Sequence, residues 1–241
     1  MSDADDPNVI DNLRRQYEEL AELAGSLAHE IKNPLSVIHM NIDLLSEELE
    51  DINDPAIRRA MQKVDIVRNQ AERMGGLLSD FLRFARLRDL QLTPGSLNDQ
   101  IDAVLQAYAA QAESGGIVIQ RFLDADLPMM RLHSETLQAA LMNLVKNAIE
   151  AMDHGGQLYV RTYSTSDGIA LDLIDTGSGV DSNTVLHMFE PFYSTKDGGS
   201  GLGLPTARKI IEAHGGHINV QSEQGRGTKF VLAFPKIPRL H

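Results

Sequence analysis

The stretch SLAHEIKNPLSVI, residues 26–38, has the apolar spacing of a continuing helix, yet Pro34 sits in its middle. A proline inside a helix removes an N–H and presses on the carbonyl four residues back, here that of Glu30, at a cost of about 3 kcal/mol or more. Outward from this point the pattern continues on both sides. Apolar or small residues step by three and four through Leu13, Tyr17, Leu20, Ala24, Leu27 and Ile31, then Ile38, Ile42, Leu45 and Leu49, with Pro34 in the one missing position. That spacing predicts a heptad seam running through the proline.

After the break EDINDPA, Asp54 is placed to cap a second helix and Pro55 to open it. The pattern resumes through Ile57, Ala60, Val64, Val67, Ala71, Met74, Leu78, Phe81 and Ala85. Charge supports pairing of the two segments. Residues 1–54 carry fourteen acids against three bases, and residues 55–90 carry four acids against eight bases. Two long helices joined by a short turn make an antiparallel hairpin over residues 1–90. One narrow apolar stripe per helix cannot close a core, so dimerisation into a four-helix bundle is expected.

The residues QLTPGSLND at 91–99 are rich in turn formers, and 91–97 reads as a linker. Residues 98–241 are mixed. Helices are expected near 98–113, at SETLQAALMNLVKNAIEAM and at PTARKIIEAH. Strands are expected at GIVIQRF, PMMRLH, QLYVRTYS, IALDLID, HINVQSE and TKFVLAF, with a glycine-rich loop over 176–203. Strands connected mostly as hairpins between helices predict an α+β layered domain.

Composition excludes several classes of function. The chain of 241 residues contains no cysteine, which rules out disulfides, thiolate nucleophiles and zinc–sulfur sites. A net charge of −12 argues against nucleic acid or an anionic membrane as principal partner. The N-terminus lacks the apolar centre of a signal peptide, and no apolar run approaches a membrane span, so membrane insertion is not expected and a cytoplasmic protein is.

Four constellations carry chemistry. On the first helix His29 falls on the face opposite Leu27 and Ile31, with Asn33 one turn on and Glu30 adjacent. A neutral imidazole is a nucleophile near pH 7, and a neighbouring carboxylate can take its proton. An isolated exposed histidine would be a solvated side chain. The nearby proline, acid and amide break several local rules at one place. In LMNLVKNAIEAM, Asn143 and Asn147 share a helix face, where their amide oxygens are either surface polarity or hard ligands for Mg²⁺. DTGSGV, from Asp175, ends a strand. Its single DTG fits either a glycine turn or half of a dimeric aspartic protease. In FEPFYSTKDGGSGLGLPTARK, Gly199, Gly201 and Gly203 alternate before a helix, which lets backbone N–H groups approach a phosphate. A lone GxGxG is a weak signal, and EQGRGTKF reads equally as a hairpin turn.

Taken in order, these blocks resemble the sensor histidine kinases of two-component signalling, over about residues 20–235. AHEIKNPL looks like the phosphoacceptor H-box, NLVKNAIEA the N-box, DTGSGV, GGSGLGL and GRGT the glycine boxes, and FEPFYSTK the F-box. The resemblance implies that His29 accepts the γ-phosphoryl group of ATP with Glu30 as base. It implies that Asn33 serves the reverse, phosphatase reaction. Asn147, with Asn143, would hold Mg²⁺. Asp175 would bind the adenine amino group, with Gly177 and Gly179 allowing close approach and Thr228 closing that side.

Residues 181–200 would form a mobile lid anchored by Phe189 and Phe192 and containing Lys196. Gly201, Leu202, Gly203 and Leu204 would offer amides to phosphate beyond Gly199. The fold implied is the helical hairpin followed by an α/β sandwich ATP-binding domain of the gyrase type. The catalytic domain would swing on hinges at 91–97 and near Pro34. The partners implied are a second copy of the chain, a response-regulator receiver domain whose aspartate takes the phosphoryl group, and an upstream sensory partner or segment.

The sequence departs from the pattern in a few places. Glu150 stands where many relatives have a lysine or arginine, which shifts phosphate contacts to Lys146 or Lys196. Ser200 replaces a common threonine, and Pro205 opens the helix after the glycines. A gyrase-type ATP hydrolase would need a carboxylate at Asn143 to activate water. A docking or phosphatase-only module would not need the intact nucleotide residues.

Overall fold

The computed structural model describes residues 31–47, 49, 54–86, 90–196 and 199–236. His29, Glu30 and the Leu13–Leu27 part of the seam lie outside the described residues. The chain divides into two units, Met1–Arg86 and Leu87–His241.

In the first unit residues 31–47 form helix α1, and α2 spans Pro55–Arg86. Asp54 caps α2 as its sequence predicts. Its Oδ1 accepts from the Ala56 N–H at 2.6 Å and its carbonyl from the Arg58 N–H at 3.0 Å. Pro55 then occupies the first helical position, where a missing N–H costs nothing. The helices lie side by side: Arg68 Nη2 donates to Ser46 Oγ at 2.6 Å and pairs with Asp43 at 3.4 Å. The acidic and basic segments thus meet at these residues.

The seam keeps the expected line at Ile42 and Ala71, which are buried, and departs from it around the proline. Pro34 does not interrupt the described helix and is exposed, while the next residue, Leu35, is buried. An exposed ring displaces no side chain from the seam, which makes the proline tolerable there. On α2, Val67 and Met74 are likewise exposed, and Arg68 and Gly75 take the half-buried positions.

The first strand of the second unit lies inside the stretch read as a linker. Strand β1, Thr93–Gly95, pairs antiparallel with β3, Met130–Leu132, with Thr93 opposite Leu132 and Gly95 opposite Met130. Ser96 caps helix α3, Leu97–Ser114, by accepting the Asp99 N–H, and Leu97 is fully buried. Residues 93–97 therefore belong to the folded unit, because Leu97 is core and Pro94 tolerates a short edge strand.

Beyond lie β2 (Ile117–Phe122), α4 (Ser134–Glu150), β4 (Gly156–Ser164), β5 (Gly168–Asp175), α5 (Ser182–His187), α6 (Gly203–Ala213), β6 (His217–Glu223) and β7 (Gly227–Pro235). A five-stranded sheet runs β2-β4-β5-β7-β6. The β2–β4 pair is parallel and the other pairs are antiparallel.

Alternate residues of the sheet, Leu158 and Val160, Ile169 and Leu171, Phe230 and Leu232, form one core with Leu105, Leu141, Leu144, Ile210 and Ile211 of α3, α4 and α6. This is a two-layer α/β sandwich, as expected. Strand β5 is central, so its C-terminal end projects from the middle of the sheet.

Candidate functional site

Two neighbourhoods of the second unit carry the expected residues. The first is at the end of β5. Asp175 is 4% exposed, and its Oδ1 accepts the N–H groups of Gly177 at 2.9 Å and Thr228 at 3.1 Å. Burial raises its pKa above the ordinary aspartate value, and the two N–H donors act against that rise. The carboxylate is thus prearranged and nearly dry, suited to accept from a donor group of a ligand.

The surrounding turn is built on close approaches. The Ser178 N–H donates to the carbonyl of Ala151 at the end of α4, and a Cβ on Gly177 would stand 2.4 Å from that same oxygen. Gly179 has φ +59°, and a Cβ there would lie 2.1 Å from the Glu223 carbonyl. Thr228 is buried, with Oγ1 3.0 Å from Ser222 Oγ. Ser222 in turn accepts the Val180 N–H and donates to the Gly227 carbonyl. Ser222 therefore ties the Asp175 turn to the last hairpin. It carries no sequence signal, since a serine on a half-exposed strand looks like any other.

The second neighbourhood is one face of α4. Leu141, Leu144, Val145, Ala148 and Ile149 are buried, and Asn143, Asn147 and Glu150 follow at i, i+4 and i+7 on the remaining side, half-buried. Lys196 Nζ donates to Glu150 Oε2 at 2.6 Å and to Asn147 Oδ1 at 3.5 Å. Lys146 approaches Glu150 Oε1 at 3.7 Å. An ammonium group thus already sits between two oxygen donors of this face. The donor set, two amides and a carboxylate, suits a hard cation such as Mg²⁺.

Helix α6 starts against the same face: a Cβ on Gly203 would lie 3.6 Å from Asn143 Oδ1. No side chain caps α6 at Leu202, which leaves N-terminal N–H groups for an anion. Leu202 is fully buried and its N–H is engaged by Ser200 Oγ at 3.3 Å, so its amide is not among the free ones. Leu204 packs half-buried on the core.

Within 181–200, where the resemblance implies a mobile lid, Ser182–His187 form the short helix α5. Asp181 caps α5 through the Thr184 N–H at 2.7 Å, and Thr184 and Met188 are buried. Phe189 packs on the core under the Arg208 guanidinium, 5.5 Å from its centroid. Phe192 does not act as a second anchor. It is 68% exposed with φ +67°, held by its N–H donating to the Gly201 carbonyl at 3.0 Å. Residues 197–198 lie outside the described residues, and the Gly199 N–H donates to the Lys196 carbonyl at 3.2 Å.

In the first unit Asn33 is exposed on α1. Its relation to His29 and Glu30 lies outside the described residues. Glu150, a departure from the family pattern, pairs with both Lys146 and Lys196.

Residues 19–90 match the His Kinase A (phospho-acceptor) domain, and residues 133–238 match the histidine kinase-, DNA gyrase B- and HSP90-like ATPase family. The chain is 29% identical to sporulation kinase C of Bacillus subtilis, covering 94% of this chain and 52% of that protein. It is 31% identical to the sensor histidine kinase ZraS of Escherichia coli, covering 93% and 48%. The crystal structure of full-length ShkA in complex with AMPPNP superposes with a TM-score of 0.74 at 26% identity, covering 89% of this chain and 45% of ShkA. The chain spans about half the length of the curated relatives it matches. With a phospho-acceptor region followed by an ATPase sandwich, and similarity to such kinases along nearly all of its length, the chain belongs to the sensor histidine kinases.

Proposed function

We propose that this chain is the ATP-dependent phosphotransfer core of a sensor histidine kinase, carrying the γ-phosphoryl group of ATP to His29 and from there to an aspartate of a response-regulator receiver domain. The observation that carries the reading is the buried Asp175 carboxylate, oriented by Gly177 and Thr228, within the same sandwich as the amide face of α4 against the start of α6. Asp175 would accept from the adenine amino group, with Gly177, Gly179 and Thr228 shaping that side. Asn143 and Asn147 would hold Mg²⁺, and the Gly201, Gly203 and Leu204 amides with Lys196 or Lys146 would face the phosphates. Bound there, Mg²⁺ would supply charge neutralisation for phosphoryl transfer.

The chain's own part is positioning. The nucleotide must be held in line with the imidazole, and Glu30 takes the proton His29 releases. Asn33, exposed on α1, is suited to orient water in the reverse, phosphatase reaction. The sandwich would swing toward the histidine about residues ahead of Thr93. Dimerisation is supported by a second apolar face. Val37, Ile38, Leu44 and Leu45 on α1 and Ile66, Val67 and Met74 on α2 are all exposed. Among the described residues no helix is long and apolar enough to cross a membrane. We place the activity in the cytoplasm, where ATP and receiver domains are found, and assign sensing to an upstream segment or partner.

The test is incubation with γ-labelled ATP. The expected product is a phosphoprotein whose label survives alkali and is lost in acid, as a phosphoramidate is. ATP turnover with no phosphoprotein would favour a gyrase-type hydrolase instead.

A further inference from the structure

Glu150 is an awkward neighbour for a triphosphate, since a carboxylate beside the phosphates repels them. Yet it lies on the same face as Asn143 and Asn147, one helical turn beyond Asn147, and its two oxygens are engaged by two different lysines. Lys196 Nζ sits between Glu150 Oε2 and Asn147 Oδ1, at 2.6 and 3.5 Å. That is the position of a cation held by one amide and one carboxylate oxygen.

We infer that Glu150 is a further oxygen donor of the divalent-cation site on α4, and that Lys196 is the stand-in cation that occupies it until the metal–nucleotide arrives. The inference rests on the reading of this face as a Mg²⁺–nucleotide site. The Lys196–Glu150 pair is partly exposed on both sides, at 45% and 35%, so water screens it and exchange is cheap. A divalent ion carries twice the charge of the ammonium and prefers hard oxygen ligands. It therefore displaces Lys196, whose ammonium is released toward the phosphates. Lys146, still near Oε1, keeps part of the carboxylate's charge balanced. One carboxylate thus couples cation binding to the delivery of a lysine. This explains how an acid is tolerated where a base would otherwise meet phosphate.

Equilibrium binding of ADP to the full chain, by calorimetry in excess Mg²⁺ and again in EDTA, tests this with the Glu150→Gln variant. The expected result is opposite in the two conditions. Mg²⁺–ADP binding weakens by roughly tenfold or more, the usual loss when a group at a metal site is removed. Metal-free ADP binding is unchanged or tighter, because a repelling charge has gone and Lys196 is free. Equal tightening in both conditions would show that Glu150 only repels phosphate, and equal weakening that it only orders Lys196; either overturns the inference. Lys196→Gln is read by Mg²⁺ titration at fixed ADP. Half-saturation should move to lower Mg²⁺, and a move to higher Mg²⁺ or none overturns the competition. Failure of the wild-type chain to bind ADP at all would instead remove the nucleotide reading itself.

Discussion

At the scale of single residues, two buried polar groups govern the second unit, and they act in different ways. Asp175 is held by N–H donors on Oδ1, so an asparagine can keep those bonds through its own carbonyl oxygen while losing the charge. Asp175→Asn should keep or raise the thermal melt at neutral pH and weaken ADP binding about tenfold or more, the worth of a hydrogen bond to a charged acceptor. A variant that binds like the wild type would remove Asp175 from the nucleotide site. Because burial raises its pKa, the ionised carboxylate costs stability at neutral pH, and that cost is relieved as pH falls through the raised value.

His214 works the other way. It is buried at the end of α6, accepts the His133 N–H on Nε2 at 3.0 Å and donates from Nδ1 to the Ile210 carbonyl at 2.7 Å. Burial holds its pKa below the ordinary histidine value of about 6.5. Its contribution is complete above that value and is lost as pH falls below it, because the unfolded chain takes the proton first. Melting temperature should therefore drop as pH falls below about 6.5, and His214→Leu should flatten that dependence while lowering the melt throughout. An unchanged slope in the variant would assign the pH dependence to other groups.

At the scale of elements, close backbone approach decides what the glycine loops tolerate. Gly227 has φ +97°, and a Cβ there would stand 2.0 Å from the Asp175 carbonyl oxygen. Gly227→Ala should cost about 2 kcal/mol or more in chemical denaturation, from strain and displacement together, and should weaken ADP binding as Asp175 moves. A neutral substitution would mean the turn is looser than its geometry.

Elements were read well from the sequence where periodicity was long. The ends of α3, α4 and the sheet strands fall within a few residues of the apolar patterns that predict them. They were read poorly where the element was short or its composition misleading. The strand β1 contains both proline and glycine and looks like a turn, and α5, six residues long, lies inside a polar loop region. The seam of the hairpin kept Ile42 and Ala71 but departed from the expected line at Pro34, Ile38, Leu45, Val67 and Met74. Three- and four-residue steps fit two adjacent faces when both are apolar, and only packing against α2 selects Leu35 over Pro34. Glu150 was visible as an anomaly, but its partner Lys196 lies 46 residues away and no local pattern joins them.

At the scale of the whole molecule, the surplus apolar face of the hairpin is the feature that a single copy leaves uncovered. Val67→Glu together with Ile38→Glu places charges on that face, outside the α1–α2 seam, where both residues are exposed. Sedimentation should show a dimer for the wild type and a monomer for the double variant, with ADP affinity unchanged because the sandwich is a separate unit. A dimer that survives both charges would place the interface elsewhere. The central claim joins the two units through chemistry: an imidazole on the hairpin takes phosphate from a nucleotide held by the sandwich. Its most direct test is His29→Gln incubated with γ-labelled ATP. Incorporation of acid-labile label should vanish while ADP binding stays at the wild-type value, and acid-labile label persisting in the variant would contradict the account.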